Sequence, residues 1–346
     1  MRALRLTEWK HDPALIDVDL PEPGPGQVLI KIGGAGACHS DLHLMHEFGA
    51  GMLPFDPPFT LGHENAGWVE ALGAGVTGLE VEQPVAVYGP WGCGRCPRCV
   101  RGMENYCERQ QELGVYAGGL GADGGMAPYM LIPSARHLLP LRTIDPVAAA
   151  PLTDAGLTPY HAIKRSLDRM GPGSTTVVIG AGGLGHMAVQ ILAAICATRV
   201  VAVDTRAEAL ALAAKRGADH TVVAGDTAAD EIRDITRGLG ADVVLDFVGN
   251  DATMALAVAA SRMLGHITIV GLGGGSYPLG FFTVPYEAQV ATTYWGSIPE
   301  LMEVLELAEA GHIGAEIHRY DLDGAAGAYE DLAQGKLTGR AVIVPG

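Results

Sequence analysis

The sequence predicts an α/β fold made of a β-rich N-terminal region and a doubly wound parallel sheet. Up to about residue 150, short segments of alternating apolar residues are separated by frequent glycine and proline, which is typical of strands and tight turns. From about residue 174, near-continuous apolar strands alternate with helices, which favours a parallel sheet covered on both faces. After about residue 290 the segments become shorter again.

The elements follow in order from local composition. In the first region a stiff Pro/Gly turn at 21–26 precedes the first of three predicted strands, at 27–32, 67–72 and 84–88. In the second region the strands are predicted at 175–179, 199–204, 219–223, 242–248 and 266–270. The helices between them are predicted at 184–197, 206–216, 230–237 and 253–263. An amphipathic helix at 299–310 and a strand at 341–345 complete the chain.

Composition narrows the class of protein. The 346 residues suffice for two domains, and a formal net charge of −16 argues against nucleic acid and anionic membranes as partners. The uncharged stretch 174–198 is long enough to span a bilayer, but it changes period midway and contains a glycine-rich turn, so we interpret it as a strand plus a helix. Six cysteines in a chain of this length do not indicate a disulfide scaffold, and we expect a reducing, cytoplasmic location.

Four of those cysteines form one cluster. They are Cys93, Cys96, Cys99 and Cys107. Four thiolates this close in sequence can enclose Zn²⁺ tetrahedrally and leave no position for water, which is typical of a structural zinc site. The alternative is a pair of disulfides, which a reducing compartment disfavours. Cys196 is predicted to lie on the apolar face of a helix in the core.

A glycine motif follows the strand at 175–179. It consists of Gly180, Gly182, Gly183, Leu184 and Gly185. Such a turn between strand and helix lets the backbone approach a dinucleotide pyrophosphate, and the helix N-terminus offers N–H groups to the phosphates. Asp204, at the end of the next strand, can accept hydrogen bonds from ribose hydroxyls and repel a 2′-phosphate, so NAD is favoured over NADP. Arg206 could soften that preference, and a ligand-free glycine turn is the alternative interpretation.

Cys38, His63 and Asp154 are candidates for a second metal site. A thiolate, a neutral imidazole and a carboxylate are good zinc ligands, and three protein ligands leave a position open for substrate. Each residue also has an ordinary interpretation. Cys38 could be a small buried apolar residue, His63 a loop histidine, and Asp154 a helix cap.

Taken together, these motifs resemble those of the zinc-dependent medium-chain alcohol dehydrogenases, and in detail the actinobacterial secondary alcohol dehydrogenases and phenylacetaldehyde reductases. The segments that carry the resemblance are 36–42, 61–64, 88–93, 152–162, 178–186 and 294–296. The resemblance implies a chaperonin-10-like (GroES-like) catalytic domain at 1–154, completed by 291–346, and a Rossmann domain at 155–290. It implies two Zn²⁺ per chain, one catalytic and one structural.

The same resemblance assigns roles to individual residues. It implies Cys38, His63 and Asp154 as ligands of the catalytic zinc, with Glu64 as a transient ligand and Asp41 orienting His63. Asp154 stands where other members have a second cysteine. Ser40 and His43 match the family's proton relay, although His43 could instead line the substrate pocket. The residues matched to cofactor contacts are His39, Thr158, Val248, Val270, Leu272 and Arg340. Candidate walls of an apolar substrate pocket are Phe55, Trp91, Leu272, Phe282, Tyr294 and Trp295.

The predicted function is reversible, NAD-dependent oxidation of secondary alcohols, and of some primary or aryl alcohols, to ketones or aldehydes by zinc-assisted hydride transfer. We expect small-molecule substrates and a homodimer or homotetramer. Three alternatives were weighed: a polyol or sugar dehydrogenase on the same scaffold, a quinone-type reductase without zinc, and a non-catalytic NAD-binding protein. The aromatic pocket candidates argue against the first, and Cys38 with His63 argues against the second.

Overall fold

A computed structural model describes all 346 residues. In chain order the strands are β1 Arg2–Leu6, β2 Ala14–Asp17, β3 Val28–Ala37, β4 Phe59–Thr60, β5 Glu64–Leu72, β6 Pro84–Val87, β7 Ala117–Gly118, β8 Gly121–Ala122, β9 Tyr129–Ile132, β10 Leu138–Pro140, β11 Thr175–Ile179, β12 Arg199–Asp204, β13 His220–Val223, β14 Ala241–Asp246, β15 Ser261–Ile269, β16 Gln289–Thr292, β17 Ile317–Asp321 and β18 Arg340–Val344. The α-helices are α1 His39–His46, α2 Gln110–Leu113, α3 Pro146–Ala149, α4 Leu157–Lys164, α5 Gly185–Ile195, α6 Ala207–Lys215, α7 Ala228–Ile235, α8 Asp251–Ala260, α9 Ile298–Glu309 and α10 Ala325–Ala333. Short 3₁₀ turns lie at Cys99–Arg101, Glu104–Tyr106, Ala135–His137, Ala150–Thr153 and Leu167–Arg169.

The chain divides into two compact units. The first, here called the β unit, combines three stretches: Met1–Leu157, Trp295–Glu309 and Ala315–Gly346. The second, here called the α/β unit, combines Thr158–Tyr294 with Ala310–Gly314. No helix in either unit has both the length and the apolar character needed to cross a membrane.

The β unit is organised around a seven-stranded sheet in the order β10-β6-β5-β3-β18-β17, with β9 also paired to β3. Strand β3 is central, and its residues are buried along most of its length. It pairs antiparallel with β5, where Gly36 lies opposite Glu64, and with β18, where Ala37 lies opposite Ala341. The end of β3 therefore lies beside the starts of β5 and β18, although these strands are far apart in sequence.

The α/β unit contains one six-stranded sheet in the order β13-β12-β11-β14-β15-β16, and every neighbouring pair is parallel. Strand β11 consists of three β-branched residue types and is buried at all five positions, as expected for a strand covered on both faces. The glycine turn leaves the carboxyl end of β11, and Asp204 ends the neighbouring strand β12. This is the doubly wound arrangement that the sequence predicts, and the predicted fold class is confirmed.

Two local predictions differ from the structure. The helix predicted at 253–263 ends at Ala260, because Ser261 already pairs with Ala241 in the sheet. Helix α5 ends at Ile195, so Cys196 caps the helix in extended backbone instead of lying on its apolar face. Its thiol is half-buried 3.7 Å from the sulfur of Met170, and burial raises its pKa to about 11.

Candidate active site

Cys38, His63, Glu64 and Asp154 converge in the β unit. Each offers one ligand atom, and these atoms lie within 4.8 Å of one another. The Cys38 Sγ is 4.0 Å and the His63 Nε2 is 3.7 Å from Oδ2 of Asp154. Zinc bonds of about 2.0–2.3 Å place neighbouring tetrahedral ligands roughly 3.3–3.8 Å apart, so the donor set and its spacing fit a Zn²⁺ ion.

Strand ends and short turns bring these residues together. Cys38 directly follows β3, and Glu64 begins the neighbouring strand β5. Asp154 follows the 3₁₀ turn Ala150–Thr153, which packs against β3 and β5. All four residues are buried or nearly so. Because the sheet fixes two of the segments, the ligand atoms are held in place by backbone pairing and not by a mobile loop.

His63 is held by a second carboxylate. Its Nδ1 lies 3.0 Å from Oδ1 of Asp41, which is fully buried at the start of α1. Burial on its own lowers the pKa of His63, but the charge of Asp41 and contacts with Asp154 and Cys38 outweigh burial and raise that pKa well above its usual value. With Nδ1 directed to Asp41, Nε2 is free to bind a metal, which is the usual arrangement of a histidine ligand.

Glu64 pairs with Arg340, a contact that sequence reasoning missed. The Arg340 Nε lies 2.9 Å from Oε2 of Glu64, a second guanidinium nitrogen contacts Oε1, and the pair is buried. The guanidinium is also 3.7 Å from Oδ2 of Asp154. Burial raises the pKa of Glu64, and Arg340 opposes that rise. The sequence stage matched Arg340 to the cofactor phosphates, and that role stays a prediction.

Ser40 and His43 lie on α1 beside this cluster. The Ser40 Oγ is 3.3 Å from Nε2 of His63, so it adjoins the ligand atom itself. His43 lies three residues along the helix, and its Nδ1 is 2.7 Å from the Glu47 carboxylate at the surface. These positions are compatible with the relay predicted from Ser40 towards solvent. His39 begins α1 and is exposed.

Of the pocket candidates, Trp295 lies nearest the cluster. Its ring meets the His63 ring edge-on at 5.6 Å, and its indole N–H donates to the Thr153 carbonyl at 2.9 Å. Its φ is +51°, in the left-handed region that costs a bulky residue about 1–3 kcal/mol, so surrounding contacts must hold it there.

The other wall candidates have different surroundings. Phe55 packs edge-on against Phe59 and Tyr116 in the core of the β unit, and Trp91 stacks on His137 at 5.8 Å. The remaining candidates belong to the α/β unit and are exposed: Leu272, Phe282 and Tyr294. Their part in a substrate pocket stays a prediction.

The four-cysteine cluster also forms in the β unit, and all four thiols are free of disulfides. The Cys96 and Cys99 sulfurs are 3.4 Å apart, and those of Cys93 and Cys99 are 3.9 Å apart. Backbone N–H groups of Cys96 and Cys99 point at the sulfur three residues earlier in each case. Such backbone donors stabilise thiolates, and they lower the pKa values of Cys93 and Cys96. The geometry fits a closed, four-thiolate zinc site.

Glu104 supports this cluster and was not found by sequence reasoning. Its buried carboxylate accepts the backbone N–H of Gly92, next to Cys93, at 2.6 Å, and it also accepts from Arg136 at 2.7 Å and His137 at 3.0 Å. Burial on its own raises its pKa, but these donors outweigh burial and lower the pKa to about 2. No local pattern marks Glu104, because its partners lie 12 to 33 residues away.

The glycine turn in the α/β unit fits a dinucleotide. Gly180 has a φ of +85°, which favours glycine, and a Cβ on Gly185 would collide with the Gly180 carbonyl. A Cβ on Gly182 would find no atom nearer than Arg206 at 3.5 Å, so this backbone is open to a phosphate. The predicted neighbours Gly183 and Leu184 complete the turn into α5.

Asp204 connects that turn to the next strand. Its Oδ2 accepts the Ala181 N–H at 2.8 Å, and its Oδ1 accepts the Arg206 N–H at 2.9 Å. The carboxylate thus lies against the turn that approaches the phosphates, and it is largely buried. The other cofactor candidates of this unit are Thr158, Val248 and Val270, of which Thr158 and Val270 are buried.

Comparison with known proteins agrees with these features. Residues 24–143 match the alcohol dehydrogenase GroES-like domain, and residues 183–310 match the zinc-binding dehydrogenase model. The chain is 39% identical to an NAD-dependent alcohol dehydrogenase of Sulfurisphaera tokodaii, with full coverage of both chains. It is 34% identical to a D-arabinose 1-dehydrogenase (NADP(+)) of Saccharolobus solfataricus, over 99% of this chain and 97% of the relative.

A solved structure gives the same result. The alcohol dehydrogenase of Aeropyrum pernix superposes with a TM-score of 0.92 at 36% identity, with full coverage of both chains. The matches span both units, and they include the strands and turns that carry the two cysteine-containing clusters. This chain belongs to the zinc-dependent medium-chain alcohol dehydrogenase family.

Proposed function

We propose that this protein is an NAD-dependent alcohol dehydrogenase that interconverts secondary alcohols and ketones, with some primary or aryl alcohols as further substrates. The observation that carries the proposal is the convergence of Cys38, His63 and Asp154 with Glu64, whose ligand atoms lie within 4.8 Å of one another. A thiolate, an imidazole and a carboxylate leave zinc formally neutral and one position open for substrate. The four-thiolate cluster has no open position, so its role is structural.

Two bound groups would supply the chemistry: zinc as the Lewis acid that polarises the substrate oxygen, and NAD as the hydride acceptor. Ser40 accepts the hydroxyl proton, since its Oγ lies 3.3 Å from the His63 atom that faces the metal position. His43, three residues along α1 and in contact with exposed Glu47, passes the proton towards solvent. Trp295 limits water on one side of His63, because its buried indole contacts that ring.

Cofactor choice rests on Asp204. Its carboxylate stands beside the glycine turn, where it favours ribose hydroxyls and disfavours a 2′-phosphate. Arg206 lies 3.3 Å from that carboxylate and partly offsets its charge. We therefore propose a preference for NAD that is not absolute. Several copies of the chain acting as a homodimer or homotetramer remain part of the proposal.

A second candidate is the oxidation of a sugar hydroxyl with NADP, as the name of the D-arabinose dehydrogenase relative suggests. The two candidates differ in the substrate's polarity. An apolar wall that includes buried Trp295 favours aryl or medium-chain compounds over sugars, because a sugar's hydroxyls need polar partners.

The test is steady-state turnover with a panel of alcohols and ketones, together with D-arabinose, in the presence of NAD or NADP, with zinc per chain measured on the same sample. We expect two zinc ions per chain and the highest kcat/KM for an apolar secondary alcohol with NAD. Preference for arabinose and NADP would favour the second candidate. A protein that binds zinc only at the four cysteines and turns over no alcohol would disprove both.

A further inference from the structure

A tyrosine from the C-terminal segment reaches the support of the candidate catalytic site. Tyr329 lies on α10, and its hydroxyl donates to Oδ2 of Asp41 at 2.9 Å, a contact between residues 288 positions apart. Both side chains are buried, Asp41 completely. The hydroxyl also lies 3.2 Å from the sulfur of Met126. Its one strong acceptor is therefore the Asp41 carboxylate, since a thioether is a weak acceptor.

The Asp41 carboxylate divides its two oxygens between different tasks. Oδ2 accepts the hydroxyl of Tyr329 and the backbone N–H of Cys38, the latter at 3.0 Å. Oδ1 lies 3.0 Å from Nδ1 of His63, and neither of these two buried atoms has another hydrogen-bond partner. The two donors on Oδ2 thus fix the plane of the carboxylate, and that plane decides where Oδ1 meets the His63 ring.

Packing alone does not explain the hydroxyl. A phenylalanine would fill the same space among the apolar neighbours of α10, and the fold would keep its contacts there. Burial, followed by the nearby charge of Asp41, raises the pKa of Tyr329 well above its usual value, so the phenol keeps its proton and acts as a donor. A buried carboxylate gains more from such a donor than an exposed one, because water cannot replace it.

We propose that Tyr329 is a positioning residue of the catalytic metal site: through Asp41 it sets the orientation in which His63 presents Nε2 to the metal. The inference rests on the proposed function, because it assigns His63 to that metal. Partners of metal-binding histidines commonly change metal affinity about 10- to 100-fold. Tyr329 acts one residue further out, so we expect an effect near the lower end of that range.

The test compares wild-type protein with Tyr329→Phe, which deletes only the hydroxyl. The matched control is Tyr320→Phe, which deletes a tyrosine hydroxyl that donates to Asp331 at 3.0 Å in the same C-terminal segment, with no link to the site. We expect a chelator to remove one of the two zinc ions about tenfold faster from Tyr329→Phe than from wild type or the control. The second zinc ion, at the four cysteines, keeps its wild-type release rate and shows that the variant is folded.

A second readout reports geometry directly. With Co²⁺ in the catalytic site, the visible absorption bands depend on ligand arrangement, and we expect them to shift in Tyr329→Phe but not in Tyr320→Phe. The KM for NADH stays unchanged while kcat falls. Two zinc ions, normal turnover in wild type, and unchanged release and spectra in Tyr329→Phe would overturn the inference and leave the proposed function standing. Wild-type protein with zinc only at the four cysteines would overturn the proposed function, and this inference with it.

Discussion

Arg340 and Glu64 form a buried ion pair across strand β3, with Nε 2.9 Å from Oε2. Glu64 begins β5, Arg340 begins β18, and both strands pair with the end of β3. Gly36 lies between them on β3, and a Cβ at that position would collide with the Glu64 side chain. The absence of a side chain at Gly36 therefore makes room for a charged pair next to the candidate metal ligands.

Arg340→Met should destabilise the protein by about 3–5 kcal/mol, because it leaves the buried Glu64 carboxylate without its cation. Urea unfolding measures the change in the free energy of unfolding. The control is Arg142→Met, which breaks an exposed pair between Arg142 and Glu306 at 2.5 Å and should cost less than about 1 kcal/mol. Equal costs for the two variants would contradict a stabilising role for the buried pair.

Asp154→Asn should remove most alcohol oxidation while leaving NADH binding intact. The amide keeps the size of the side chain but loses the negative charge that faces Cys38 Sγ at 4.0 Å and His63 Nε2 at 3.7 Å. A neutral ligand binds zinc more weakly, so we expect about one zinc ion per chain in place of two after dialysis. Metal analysis and NADH fluorescence titration measure the two effects.

Asp145→Asn is the matched control for that variant. Asp145 caps α3 by accepting the Val147 N–H at 2.9 Å, and asparagine caps helices equally well. Its zinc content and turnover should therefore equal those of wild type. Full turnover and two zinc ions in Asp154→Asn would remove Asp154 from the ligand set.

The parts of the structure that sequence predicts are those encoded by local spacing. The four cysteines lie within 15 consecutive residues, and the glycine turn lies between a strand and a helix, so short motifs define both. The family and the fold class predicted from such motifs are confirmed. Most strands of the α/β unit begin and end within one or two residues of their predicted bounds, because buried parallel strands are uninterrupted apolar runs.

Contacts between distant segments could not be predicted in this way. Arg340 meets Glu64 across 276 residues, and Tyr329 meets Asp41 across 288. Nothing in the sequence near either partner signals the other, because strand pairing and helix packing bring them together only in the folded chain. The end of α8 at Ala260 has a similar cause, since pairing of Ser261 with Ala241 overrides the helical preference of the residues that follow.

Asp204→Ser should raise the ratio of kcat/KM for NADP to that for NAD about tenfold or more, because it removes the carboxylate that repels a 2′-phosphate. Arg206, whose Nε lies 3.3 Å from that carboxylate, then becomes available to the phosphate. Steady-state kinetics with both cofactors measure the ratio. The variant also loses the bond to the Ala181 N–H, so some decrease in stability is expected.

A control separates cofactor choice from that loss of stability. Asp219 accepts the Val200 N–H at 2.8 Å at the other end of the same sheet, and Asp219→Ser removes a comparable contact. We expect it to lower stability without changing the cofactor ratio. If both variants shift the ratio equally, Asp204 does not discriminate between the cofactors by its charge.

Glu104→Gln should make the protein less stable in a manner that depends on pH. Glu104 has a pKa of about 2 in the folded protein and an ordinary value of 4.5, so folding favours its charged form. The resulting stabilisation is fully present above pH 4.5 and is lost as the pH falls towards 2, and that pKa difference corresponds to about 3 kcal/mol. Urea unfolding at several pH values should therefore show a gap between wild type and Glu104→Gln that is widest near neutrality and narrows below pH 4.5. Glu112→Gln, which alters an exposed pair with Arg109 in the same lobe, should change stability by less than about 1 kcal/mol. A gap that stays constant from neutral to acid pH would mean that Glu104 contributes through shape and hydrogen bonding, and not through its charge.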